Sequence, residues 1–253
     1  MAVDLVYKRA RDGVISPCFK ELVDCCLTFK HPDIIRRFLA TGEFNQPMPG
    51  TFIDKINGHF ALWLPRFDRK VTPDGVLHHG MESIYSMMGI GGDGARLEHV
   101  NVIHKLRECV TKPDEQDALL ADYLVRDILN TATGNRDNHG RNTSLIKRDR
   151  DIELAPAYDV APMVLDPEAI AMSTWWPNRL LNEKRNPDYA AILEELAVDN
   201  RRAAALMVED LLKLTGMAKG LEDFGAPDEV VNHKAIRMHE PELVLKQLER
   251  LQG

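Results

Sequence analysis

Hydrophobic and polar positions along the chain change period several times, and each change marks an element. Residues 18–41 carry a helical pattern interrupted at His31-Pro32, and residues 45–50, Asn-Gln-Pro-Met-Pro-Gly, form a turn-rich connector. Thr51–Ile56 and His59–Leu64 are apolar stretches on either side of Asn57-Gly58. That dipeptide takes up the positive-φ turn that joins two antiparallel strands, so a hairpin is predicted there. From about residue 78 the pattern reads as mostly helical. Gly89–Gly94, with four glycines, breaks it as a helix-joining loop, and a helix follows over Ala95–Val110. Pro113-Asp114-Glu115 opens the next helix, because proline is tolerated and acids are favourable in a first turn. Leu120, Leu124 and Ile128 recur every four residues on one buried face, and Thr133-Gly134 ends the helix. The period then falls to two. Ile152 and Leu154 alternate with Asp151 and Glu153, which predicts a half-buried strand paired to Ser144–Lys147 through a turn at Arg148–Asp151. Beyond Asp159 the chain is loop-rich to about Pro187. It is then helical again, and it ends in a helix over Pro241–Leu251 with Val244, Leu248 and Leu251 on one face.

Length and composition narrow the class. The chain has 253 residues, 44% hydrophobic and 28% charged, enough for one large domain or two small lobes. No apolar run reaches the ~18–20 residues of a membrane span, and Met1-Ala2-Val3-Asp4 lacks a signal pattern. A cytoplasmic protein is expected. Cys18, Cys25, Cys26 and Cys109 make no C-x-x-C pair and no zinc spacing, so they read as reduced thiols. A net charge of −7 disfavours direct binding of nucleic-acid phosphates or of an anionic membrane, so any nucleic-acid link would run through a partner.

The chemistry is concentrated in Gly134-Asn135-Arg136-Asp137-Asn138-His139-Gly140-Arg141-Asn142, the hairpin after it, and Ala155-Pro156-Ala157-Tyr158-Asp159. Asp137 and Asn142 stand five apart in a glycine-bounded loop, and Asp159 follows where the second strand of the hairpin ends. Phosphoryl transfer needs such a set: a carboxylate to orient the attacking hydroxyl and take its proton, and hard oxygens to hold magnesium against the triphosphate. On this reading one of the two aspartates is the base, and the other holds magnesium together with the Asn142 amide oxygen. His139 either packs structurally or assists the loop. Arg141 is either a solvated cation or a contact to the transferring phosphate. Asp137 and Asn142 as plain turn residues, and Asp159 as a cap, are the competing readings.

The run G-N-R-D-N-H-G-R-N-T-S-L followed by L-A-P-A-Y-D-V resembles the catalytic loop and metal-binding segment of HipA-like serine/threonine kinases, bacterial toxin-module kinases. Upstream, Arg66-Phe67-Asp68-Arg69 is similar to that family's segment near the hinge between lobes. His79-Gly80-Met81-Glu82 onward is similar to the helix after it, and Gly91-Gly92-Asp93-Gly94 to its glycine-containing loop. The resemblance implies an α+β, mostly α, protein-kinase-like fold: a large helical lobe over 66–253 and a reduced or truncated small lobe over 1–65. It implies ATP and Mg2+ as cofactors, with catalytic roles for Asp137, His139 and Arg141. It further implies metal ligation by Asn142 and Asp159, and nucleotide contacts from Arg66, Phe67, Asp68 and Lys8. It also implies a protein hydroxyl as phosphate acceptor and, as partner, a DNA-binding antitoxin or a chain that completes the small lobe. The sequence departs from the family pattern at three points. Its G-x-G-x-x-G, Gly89-Ile90-Gly91-Gly92-Asp93-Gly94, comes after Arg66-Phe67-Asp68-Arg69 rather than before it, where a phosphate-covering loop would stand; it has Pro65 where an acidic residue is usual, and it has Arg141 in place of the loop lysine. A pseudokinase or interaction subunit is therefore one alternative function, and a small-molecule or lipid kinase is another.

Overall fold

A computed structural model describes residues 52–56, 59–63, 67–92, 94–112, 115–160, 162–163, 172–223 and 232–251. The readings that fall on residues 1–51, including the helix over 18–41 and Lys8, lie outside the described residues, as do Leu64, Pro65 and Arg66.

The chain opens with two hairpins. β1 (Phe52–Ile56) and β2 (His59–Trp63) pair antiparallel with Ile56 opposite His59, the two-residue connection that Asn57-Gly58 calls for. β3 (Arg69–Thr72) and β4 (Gly75–His78) form a second hairpin, with Thr72 opposite Gly75. Its signal is Pro73-Asp74-Gly75: proline presets φ, aspartate bonds to nearby backbone, and Gly75 takes φ 141°.

One sequence expectation is corrected next. The segment from His79 does not begin a helix. Gly80–Ser83 is a strand, β5, paired antiparallel to β7 (Ser144–Arg148), and helix α1 starts only at Ile84 and runs to Met87. Its cause lies 60 residues away. β7 offers an open edge, and Gly80 and Ser83 have weak helix propensity, so ladder hydrogen bonds decide the conformation. The Ser83 side chain then caps α1 by accepting from the Ser86 amide at 3.3 Å.

β6 (Leu97–Glu98) precedes α2 (His99–Cys109), and α3 (Gln116–Thr133) follows. Leu120, Leu124 and Ile128 on α3 are fully buried, in line with their four-residue spacing. Gly134 ends α3 in the left-handed conformation at φ 67°, and its N–H returns to the Asn130 and Thr131 carbonyls. β8 (Asp151–Leu154) closes the three-stranded sheet β5-β7-β8, with Asp149 at φ 52° in the β7–β8 turn. β9 (Thr174–Trp175) pairs parallel with β6. The remaining helices are α4 (Tyr189–Leu196), α5 (Asn200–Leu214), α6 (Met217–Asp223) and α7 (Glu240–Leu248).

α3 is the central helix, packed against α5, α7 and α2. Its apolar face shares one core with Val102, Ile103 and Leu106 of α2, Ile192 and Leu193 of α4, Met207 and Leu211 of α5, and Val244 and Leu248 of α7. α7 has proline in its first turn, and Val244, Leu248 and Leu251 are buried, as the spacing predicts. Helices carry this core, and the sheet β5-β7-β8 is entered through the loop that leaves the C-terminal end of α3. That end is where Asp137 lies. Cys109 is a free thiol. Among the described residues no helix is long and apolar enough to cross a membrane.

Candidate active site

Gly134 turns the chain out of α3 into an irregular loop, residues 135–143, which runs into β7. Irregular backbone next to a core must find partners for its polar groups, and side chains supply them here. Asn135 is 4% exposed and spends its whole amide on this task. Its Nδ2 donates to Asn130 Oδ1 at 2.9 Å and to the Asp159 carbonyl at 3.0 Å, and its Oδ1 accepts from the Asp137 N–H at 3.2 Å. One buried side chain thus ties the end of α3 to the backbone of both Asp137 and Asp159.

Asn142 makes a second tie. Its Nδ2 donates to the Asp137 carbonyl at 2.8 Å, and its side chain lies near enough to the Asp159 carboxyl to pull that group's pKa down. The Asn142 N–H and the His139 N–H bond within the loop, to the His139 and Asp137 carbonyls, each at 2.9 Å. Asp137, Asn142 and Asp159 therefore converge at the base of the β7–β8 hairpin. Asp159 is held at φ 59°, a left-handed conformation rare for a residue with a Cβ, and the Asn135 bond to its carbonyl holds it there.

The electrostatics of this spot are those of a cation-seeking pair. Burial raises the Asp159 carboxyl above its ordinary value and the nearby Asp137 charge raises it further, while His139 and the Asn142 side chain pull it back. Two carboxylates and an amide oxygen form a hard-oxygen donor set. Among the described residues no group of three or more His, Cys, Asp or Glu side chains makes a metal site. A set this small suits magnesium, which keeps several waters and takes phosphate oxygens rather than filling an all-protein cage.

His139 faces Asp137, with Nε2 3.7 Å from Asp137 Oδ1. Its Nδ1 accepts from the Arg141 N–H at 3.3 Å. A nitrogen that accepts carries no proton, so the neutral ring holds its proton on Nε2, toward Asp137. Arg141 is exposed on the outer side of the loop. Phe67 stacks at a tilt on Tyr158, centroids 5.8 Å apart, which sets the described part of the hinge-like segment beside the residue that precedes Asp159. The Asp68 carbonyl accepts from the His79 N–H at 2.8 Å, and Asp68 lies 3.7 Å from Arg69. Asp137, His139, Arg141, Asn142, Asp159 and Phe67 are thus one neighbourhood, whereas Arg66 and Lys8 fall outside the described residues.

Four residues that the sequence reading passed over shape the site. Asn135 is one. Arg126 of α3 clasps Asp122 with two bonds of 2.7 Å and donates to the Ala155 carbonyl at 2.7 Å, which anchors the segment leading to Asp159. Tyr85 donates its N–H to the Gly140 carbonyl at 3.1 Å and its hydroxyl to the Ala95 carbonyl at 2.6 Å. Tyr158 bonds Arg141 and Ser144. Each acts through a partner remote in sequence, so none carries a local pattern.

The family model described as HipA-like C-terminal domain matches residues 39–216. Among solved structures, HipA of Shewanella oneidensis MR-1, in a complex with HipB and operator DNA, aligns with TM-score 0.53 and 18% identity. It covers 86% of this chain and 55% of its own, so this chain spans about half the length of that relative. The Helicobacter pylori proinflammatory kinase CtkA aligns with TM-score 0.51 and 10% identity, over 90% of this chain and 89% of its own. A search of curated proteins returns no match. With the matched residues spanning most of the chain and enclosing the loop from Asp137 to Asp159, the protein belongs to the HipA-like C-terminal domain family and has its kinase-like fold.

Proposed function

We propose that this chain is a HipA-like kinase that moves the γ-phosphate of ATP to a serine or threonine hydroxyl of a protein. The observation that carries the proposal is the pair of asparagine ties: Asn142 Nδ2 on the Asp137 carbonyl, and Asn135 on both the Asp137 N–H and the Asp159 carbonyl. It gathers base and metal-binding groups at one point, as in-line phosphoryl transfer requires. Asp137 orients the acceptor hydroxyl and takes its proton as the oxygen bonds to the γ-phosphorus and the bond to ADP breaks. His139, with its proton on Nε2, fixes the direction of the Asp137 carboxylate. Asn142 and Asp159 would hold magnesium, which neutralises the β- and γ-phosphate oxygens when bound. Arg141, on the exposed side of the loop, places a guanidinium where it can meet the transferring phosphate. Phe67 and Asp68, with Arg66 and Lys8, are proposed to border the nucleotide.

A second reading is favoured by one observation: the G-x-G-x-x-G of the sequence, Gly89 to Gly94, stands after Arg66-Phe67-Asp68-Arg69, between α1 and β6, and not before it where a phosphate-covering loop belongs. Without backbone N–H groups over the phosphates, the chain would bind ATP weakly and act as an interaction subunit, or it would work with a partner that completes the small lobe. The HipB in the Shewanella complex makes a DNA-binding antitoxin the first partner to test.

Calorimetry with ATP, with and without magnesium, separates these readings. For a kinase, binding is magnesium-dependent, Asp159→Ala abolishes it, and Asp137→Asn leaves binding but lowers phosphotransfer by roughly 10²–10⁴-fold, the usual contribution of a positioned base. No magnesium-dependent binding, alone or with an antitoxin-like partner, would sink the kinase proposal and leave the interaction subunit.

A further inference from the structure

Tyr158 touches three parts of the site with one side chain, and the direction of its hydrogen bonds can be deduced. Its hydroxyl lies 2.5 Å from the Arg141 carbonyl, which can only accept, so the phenol donates there. That uses its single proton. The Ser144 hydroxyl, 2.6 Å away, must therefore donate to the phenol oxygen. Ser144 is 2% exposed, and its carbonyl accepts from the Ala155 N–H at 2.9 Å, which fixes it to the strand leading into Tyr158. The ring meanwhile rests on Phe67.

These contacts have a geometric consequence. Arg141 and Ser144 bracket Asn142 in the chain, and Asp159 is the residue after Tyr158. One rigid aromatic side chain thus reaches from the residue before Asp159 to the Arg141 carbonyl on one side of Asn142 and to the Ser144 hydroxyl on the other. Resting on the proposed kinase reading for its purpose but not for its geometry, we infer that Tyr158 is a positioning residue, a spacer that sets the distance between Asn142 and Asp159. Phe67 links that spacer to the segment beside the nucleotide. Tyr158 touches no reacting atom in this role.

Amide hydrogen exchange of the full chain, free of metal and nucleotide, tests the spacer. In Tyr158→Phe the ring stays and the hydroxyl goes. The His139 and Asn142 amides, bonded within the loop, should exchange on the order of tenfold faster, as the loss of about one net hydrogen bond allows, while α3 amides stay unchanged. Ser144→Ala keeps the bond to Arg141 and should give a smaller effect, and the double variant should be no worse than Tyr158→Phe alone. Tyr189→Phe removes a different buried hydroxyl, one that bonds Asp127 at 3.0 Å, and should leave the loop amides untouched. In ATP calorimetry the magnesium concentration for half-maximal binding should rise on the order of tenfold in Tyr158→Phe, the same lost hydrogen bond read at the metal site. Loop exchange in Tyr158→Phe equal to wild type, or raised alike throughout the protein, overturns the inference. If wild type binds no ATP, the kinase reading falls, and the exchange data still decide whether Tyr158 spaces the loop.

Discussion

A Cβ built on Gly140 would stand 2.4 and 2.6 Å from two Tyr85 ring carbons and 2.8 Å from Leu97 Cδ1. Glycine is present there because the loop backbone lies directly on the Tyr85 ring. Gly140→Ala should lower stability by about 1–3 kcal/mol, the usual cost of forcing a methyl into a packed space. It should also lower any phosphotransfer, since the Tyr85 N–H to Gly140 carbonyl bond must shift with the loop. Urea unfolding checks the first effect, and a wild-type midpoint would mean that the loop is softer than this contact implies. The residues proposed for the chemistry were legible in the sequence because they are polar, local and fixed in spacing: Asp137 and Asn142 share a loop, and Asp159 follows the hairpin, although β8 itself stops at Leu154 and an irregular segment carries the chain on to Asp159. Asn135, Arg126, Tyr85 and Tyr158 were not. An asparagine in a turn-rich run looks like any turn residue, and a tyrosine gives no sign of which carbonyl it will reach across the fold.

At the scale of elements, legibility follows the range of the cause. α3 and the β7–β8 hairpin were readable because a buried stripe or face imposes its own period on a dozen or so residues. β5 was not. Gly80–Ser83 has no alternation, and its strand state comes from pairing with β7, a non-local interaction that propensity does not encode. The β3–β4 hairpin sits between these cases. Its Pro73-Asp74-Gly75 turn is a local signal, but the residues around it are exposed, Val76 at 52% and Leu77 at 47%, so no buried face reinforces it. α3 makes the strongest energetic claim. Leu124 is fully buried, and Leu124→Ala should cost about 2–5 kcal/mol in chemical denaturation. Leu212 of α5, 57% exposed, should lose less than about 0.5 kcal/mol when changed to alanine. Equal effects at the two positions would show that α3 is not the organising helix.

Across the whole molecule, one buried polar cluster joins elements that the apolar core only packs together. Asp127 of α3, 4% exposed, accepts from Trp176 Nε1 at 2.9 Å and from the Tyr189 hydroxyl at 3.0 Å. His99 of α2 stacks on Trp176, centroids 4.5 Å apart, and stands 3.6 Å from Asp127 through Nε2. Its Nδ1 meets the Tyr123 hydroxyl at 2.9 Å. Burial raises the Tyr123 phenol well above its ordinary value, with the Asp127 charge adding to this, so it stays protonated; the Asp127 carboxylate, which only accepts, faces Nε2, and this leaves Nδ1 to accept from the phenol. The His99 proton therefore sits on Nε2, facing Asp127. Burial lowers the His99 pKa from 6.5, and the Asp127 charge offsets this only in part. The sign of the pH effect follows. Between the lowered folded value and 6.5 the unfolded chain binds a proton that the folded chain refuses, so the His99 contribution is complete above about pH 6.5 and is lost as pH falls toward the folded value. Glu240 works in the opposite direction. Burial raises its pKa above 4.5, so the folded state there holds more protons and gains relative stability as pH falls. The difference between wild type and His99→Gln isolates the histidine. The Tm of wild type should fall more steeply than that of His99→Gln from pH 7.5 to 5.5, even though the variant starts lower for want of the Tyr123 and Trp176 contacts. Parallel slopes would mean that burial leaves the His99 pKa where it is in the unfolded chain, and a shallower fall in wild type than in His99→Gln would mean that His99 is protonated in the folded protein and paired with Asp127 as an ion, so that the joint between α2, α3 and α4 is electrostatic rather than a neutral hydrogen-bonded cluster.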